Sequence, residues 1–267
     1  MARGRLGRRR MAVNDRYVES RKRFPPPLRG FLPSGPILSP VAPGQALANS
    51  SILQRRIDTY LGIAAGIAAP LVYASAVIAG GWVTPGYSHL ASTISELTTA
   101  GQPYAEQLDD VFVPYNLLLA CFAACLPVSL SAARQTAIRA DAAVLLVLSL
   151  AGVGMVTIFP VSAPGLPLTP TARMHIILAA IASISTMLAI ALTAYALWQA
   201  RGWRLFTRFS AMCLAIVAGS GIWTATAVAG GQPLAGLAER LTIGTFMAWL
   251  LAFALTLAAS AGRSRDA

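Results

Sequence analysis

The residues of this chain that could do chemistry are few, and they lie in short polar stretches between long apolar runs. The segment YSHLASTISEL, residues 87–97, holds His89, Ser92, Ser95 and Glu96. An imidazole can act as acid or base, a hydroxyl as nucleophile, and a carboxylate as the group that orients the imidazole. Read as a helix, the segment sets His89, Ser92, Thr93 and Glu96 on one face. Leu90, Ile94 and Leu97, at i, i+4 and i+7, share another. It is therefore expected as a short amphipathic helix that lies on the membrane or caps a bundle. Polar sets at this spacing also occur on any solvated helix face, and both readings stand.

A second set comprises Asn116, Arg173, His175, Glu239 and Arg240. Arg173 and Arg240 offer bidentate forks to a phosphate, while Asn116 and His175 could fix a headgroup. The same residues could instead form a structural layer of ion pairs and hydrogen bonds, or anchors that snorkel to the headgroups. Cys121, Cys125 and Cys213 lie inside apolar runs and read as small apolar helix residues. No metal or cofactor is expected.

The elements that must position these groups are six apolar stretches, at roughly 59–81, 111–133, 141–160, 173–198, 208–229 and 239–261. A run of about 20 apolar residues spans the hydrocarbon layer as a helix, the conformation that satisfies its own backbone there. Hydrophobic residues make up 56% of the chain and charged residues 12%, which no ordinary soluble domain matches. The fold expected is all-α: a polytopic membrane protein with a six-transmembrane-helix bundle.

Arg55 and Arg56, Arg134 and Arg139, Arg201, Arg204 and Arg208, and Arg263 and Arg265 occupy alternate gaps. Basic loops stay on the cytoplasmic side, so both termini are expected inside a cell (inner) membrane, with the polar sets above on the outer face. Asp58 and Asp141 read as caps of cytoplasmic helix starts. Gly62 and Gly66, Gly152 and Gly154, and Gly219 and Gly221 read as packing seams, with a homo-oligomer through Gly62 and Gly66 as the alternative. Charges are absent from the middle of the spans, which argues against an ion-coupled carrier.

The net charge of +11 sits mostly in the first fifty residues, whose Arg-rich start gives way to Pro and Gly. Residues 1–53 are expected as a disordered tail, 54–262 as the membrane domain and 263–267 as a cytoplasmic tail. The tail reads either as a basic arm attracted to anionic lipid or as a stretch ahead of a true start at Met11 or later. No signal peptide is expected in it, because no apolar segment follows the arginines within reach. The body's modest charge points to membrane lipids rather than nucleic acid as the partner.

Three stretches carry a resemblance to a family. They are Tyr87, Ser88, Thr93–Leu97, Gly101–Pro103 and Asn116; then Phe159 and Pro160 followed by His175, Ala179 and Ala180; then GLAERLTIG, residues 236–244. In order and content they resemble the domain of unknown function 998 family, over about residues 57–260. The resemblance implies a six-helix membrane bundle and no established activity. Where that family's pattern has an acid after the Phe-Pro pair, this chain has Ser162.

The reading favoured is a membrane protein whose outer polar layer binds a lipid headgroup or small polar ligand. An outer-leaflet hydrolase using His89 or His175 with Ser92 or Ser95 is the alternative, and a small-molecule permease is third. A serine oxygen within hydrogen-bond reach of a histidine would favour the hydrolase.

Overall fold

The computed structural model describes residues 43–99, 101–130, 134–162 and 167–263, with side chains from Ser50 onward. The tail through residue 42, with its expected disorder, and residues 264–267 lie outside the described residues. Among the described residues six α-helices follow one another: α1 Pro43–Val83, α2 Ala105–Ser129, α3 Gln135–Thr157, α4 Pro170–Leu197, α5 Arg204–Ala229 and α6 Ala235–Arg263. A 3-10 turn, Ile94–Thr98, lies between the first two. Each α-helix is long and apolar enough to cross a membrane, with peak mean hydropathy between 1.7 and 2.3.

Several helices start earlier than their apolar runs. α1 reaches back to Pro43, through residues 43–53 that the sequence assigned to the tail. α2 and α3 begin at Ala105 and Gln135, ahead of the expected 111 and 141. Hydropathy marks where lipid begins, whereas hydrogen bonding lets a helix run on into the polar interface. This corrects the reading of both cap carboxylates. Asp58 lies well inside α1 and accepts a 2.8 Å hydrogen bond from Gln54 Nε2. Asp141 lies in the second turn of α3 at 0% exposure; its Oδ2 accepts the Thr193 hydroxyl of α4, and its Oδ1 has no partner among the described residues.

Each helix packs on the next, and α6 closes back on α1. Lipid tails are as apolar as leucine, so close packing and interhelical hydrogen bonds hold such a bundle together. Gly62 and Gly66 face Cys125 and Phe122 of α2, so this seam is used within the chain. Ser149 of α3 donates to the Asn116 carbonyl of α2 at 2.6 Å, and Thr242 of α6 donates to Ser220 Oγ of α5 at 2.8 Å. Phe122, Trp249 and Phe253 are fully buried, and Trp249 Nε1 donates to Ser210 Oγ at 3.0 Å. This aromatic cluster, with Phe206, fills the half of the bundle nearer the α4–α5 turn.

Candidate functional site

The segment after α1 does not form one helix. Gly86, at φ 72, turns the chain in a conformation that favours glycine. Ser92 N–H then returns to the Ser88 carbonyl at 2.7 Å, and the 3-10 turn begins after Thr93. The Thr93 amide and hydroxyl both donate to Glu96 Oε1, at 3.1 and 3.0 Å. Ser and Thr side chains here compete for the backbone bonds a helix would need. The expected apolar stripe is accordingly split: Ile94 and Leu97 are buried at 6% and 0% exposure, while Leu90 is 56% exposed.

This loop is fastened to the start of α6. A helix begins with amide groups that have no partner inside it. In α6 two of these, Gly236 N–H and Leu237 N–H, donate to Ala91 O at 3.2 Å and Leu90 O at 2.9 Å. The approach is close enough that a Cβ on Gly236 would strike the Ser92 carbonyl and Arg240 Nη1. One turn on, Glu239 Oε2 accepts the Ile94 amide. Arg240 Nη1 donates to Ser92 O at 2.8 Å and Gly236 O at 3.0 Å, and Nη2 donates to the Tyr87 hydroxyl. That hydroxyl donates in turn to Thr93 O at 2.9 Å, and the guanidinium carbon lies 5.4 Å from the Tyr87 ring centre. The fork's oxygen partners are thus all neutral. Among the described residues Arg240 Nε is buried without a partner.

Burial pushes the Tyr87 hydroxyl up to about 12, against the pull of Arg240, so it stays protonated and can both donate and accept. The His89 ring rests on Gly81, where a Cβ would collide with it, and meets the Tyr87 ring edge-on at 5.5 Å. Its desolvation, then the Arg240 charge, lower the imidazole from its ordinary value. Beneath the cluster Tyr73 and Tyr115 pack edge-on at 4.8 Å.

The structure therefore brings His89, Ser92, Ser95, Glu96, Glu239 and Arg240 to one end of the bundle, with Tyr87 at their centre. The loop groups are committed locally. Ser92 Oγ lies 3.5 Å from the Ser88 amide that donates to it, and Ser95 Oγ lies 3.2 Å from the Thr93 hydroxyl. Neither serine is hydrogen-bonded to a histidine among the described residues.

Asn116, Arg173 and His175 stand outside this cluster, Arg173 and His175 in the first two turns of α4. Asn116 is buried at 3% exposure, donates to Phe112 O at 2.9 Å and presses against Gly152 of α3. His175 Nδ1 meets Phe159 O at 2.8 Å, which joins the two halves of the second sequence stretch. Arg173 is exposed in the first turn of α4, and Ser162 Oγ lies 3.4 Å from the Thr169 hydroxyl. Tyr87 and Asp141 are the groups that spacing alone did not mark as candidates. A tyrosine beside a bundle's longest polar loop was the available sign for the first. Among the described residues no three His, Cys, Asp or Glu side chains converge as metal ligands would.

Residues 67–256 match a family described as Protein of unknown function (DUF998), and the whole cluster lies inside that range. No curated protein and no solved structure matches the chain. With six helices among the described residues long and apolar enough to cross a membrane, the chain is an integral multi-pass membrane protein that belongs to the DUF998 family.

Proposed function

We propose that the protein binds a lipid headgroup or small polar ligand at the cluster built by Tyr87, Glu96, Glu239 and Arg240. The observation that carries this reading is the Arg240 guanidinium, three of whose N–H groups are satisfied while Nε is buried without a partner among the described residues. An unmet donor in a place shielded from water is costly, and a ligand acceptor relieves it. Two carboxylates stand close by, so a headgroup carrying both acceptor and donor suits the site better than a bare anion. Trp82 and Leu90, 80% and 56% exposed and next in the chain to Gly81 and His89, supply apolar flanks for an acyl chain.

The basic gaps support placing this end on the outer face of the cell membrane with both termini in the cytoplasm. Labelling of single cysteines at Gln232 and Arg201 in intact cells tests that orientation: only Gln232→Cys should react with an impermeant reagent.

The binding test is mass spectrometry of lipids and small molecules that co-purify with wild type, Arg240→Lys, Tyr87→Phe and Arg173→Ala. A species kept by wild type and Arg173→Ala and lost from the other two is expected. Identical bulk lipid in all four would make the cluster a structural clamp.

A further inference from the structure

The opposite end of the bundle carries a different arrangement, at the turn between α4 and α5. Trp198, Arg204, Thr207 and Arg208 line a cleft of about 270 Å³ there. Arg204 and Arg208 are exposed and four residues apart, on one face of the first turns of α5. Electrostatically this is a poor place for them. Like charges at that spacing repel, and the start of a helix favours anions. No acidic residue stands in the first turn of α5, and its N-cap, Trp203, supplies no side-chain bond. An anion in the cleft would remove both penalties.

The wall of the cleft is held in place by a third arginine. Arg134 donates to Tyr195 O at 2.8 Å, and its guanidinium carbon lies 4.4 Å from the Tyr195 ring centre and 5.7 Å from that of Trp198. Thr207 spends its hydroxyl proton on Trp203 O at 3.0 Å, so the arginine forks are the cleft's charged donors. Two apolar side chains flank them, Trp198 at 55% and Leu205 at 81% exposure. Arginine forks beside an exposed aromatic and an exposed leucine, at the end of membrane-spanning helices, match a molecule with a phosphate and an acyl chain.

We infer that this cleft binds an anionic phospholipid, with Arg204 and Arg208 on the phosphate and Trp198 and Leu205 against the upper acyl chain. The site is separate from the Tyr87–Arg240 cluster and shares no residue with it.

The test uses the full chain in a neutral detergent, titrated with short-chain phosphatidylglycerol, short-chain phosphatidylcholine or inorganic phosphate, and read by thermal unfolding and native mass spectrometry. Phosphatidylglycerol should stabilise wild type and Arg201→Gln, a neighbour outside the cleft lining. It should bind about tenfold or more weakly to Arg204→Gln/Arg208→Gln. Inorganic phosphate that stabilises as well as the lipid would overturn the lipid assignment. Equal binding of phosphatidylcholine, or undiminished phosphatidylglycerol binding by the double variant, would overturn the site. Should the double variant unfold on purification, Arg204→Lys/Arg208→Lys keeps the charge while removing the fork. It should still bind phosphatidylglycerol, but more weakly, and undiminished binding would overturn the assignment of the forks to the phosphate.

Discussion

At one end of the bundle Arg240 is enclosed by oxygens of its own chain; at the other, Arg204 and Arg208 stand exposed over a cleft. The residue type is the same and the physical situation is opposite. Arg240 ties a loop to a helix start, so removing it leaves Ser92 O and the Tyr87 hydroxyl short of a donor. The α5 arginines hold nothing in place within the described residues. The difference separates an arginine that builds a site from arginines that offer one.

The largest effect should come from breaking the closed end. Arg240→Ala is expected to cost about 3 kcal/mol, the sum of its charged hydrogen bonds after water recovers part of them. Arg204→Ala should stay within about 0.5 kcal/mol without added lipid. Thermal unfolding of both variants in the same detergent reads the contrast, and equal losses would abolish it.

Next comes Gly236→Ala, because its Cβ meets backbone atoms of Ser92 that cannot swing aside. A loss of about 2 kcal/mol is expected. Gly244, on the same helix, has open space around its Cβ position, so Gly244→Ala should be neutral or stabilising by up to roughly 1 kcal/mol. Similar melting points for the two variants would mean that the loop does not sit on α6 as described. Tyr87→Phe is smaller: it removes the donor to Thr93 O and one acceptor of Arg240, for about 1 kcal/mol.

The two ends also differ in how far the sequence alone reveals them. Six spans are legible because a lipid-crossing helix needs a length of apolar residues that nothing else in the chain mimics. The same signal misleads at Asp58 and Asp141: an apolar run says nothing of how far its helix continues beyond the lipid. The 87–97 segment satisfies a helical period on paper, yet its Ser and Thr groups and its bonds to α6 break it, and those bonds join residues about 145 positions apart. Glu239 and Arg240 could be placed in one layer with the loop from topology, but their oxygen and amide partners depend on backbone geometry. Asn116 must face protein or water by its depth in its span, and His175 stands where a neighbouring element could meet it. Only the packing of α3 between α2 and α4 shows that they turn to different neighbours.

The smallest effect, and the finest probe of the closed end, is the titration of His89. Burial and then the Arg240 charge both disfavour its protonated form, so its folded midpoint lies below the ordinary 6.5. The unfolded chain therefore binds the proton more readily. The ring contributes stability that is fully present above 6.5 and lost as pH falls through the lower folded midpoint. The ring is only partly buried, so the loss should be slight, and the direction is the informative quantity. Ring-proton resonances, assigned by the signal missing from His89→Gln, should titrate below 6.5, and Arg240→Gln should move the midpoint upward by removing the neighbouring charge. Both His89 and the Arg240 fork meet Tyr87, so Tyr87→Phe separates field from packing: it leaves the guanidinium's charge in place while loosening its seat. A midpoint that rises in Arg240→Gln and stays put in Tyr87→Phe would assign the shift to charge. Equal movement in both would assign it to the water that enters when the loop lifts off α6.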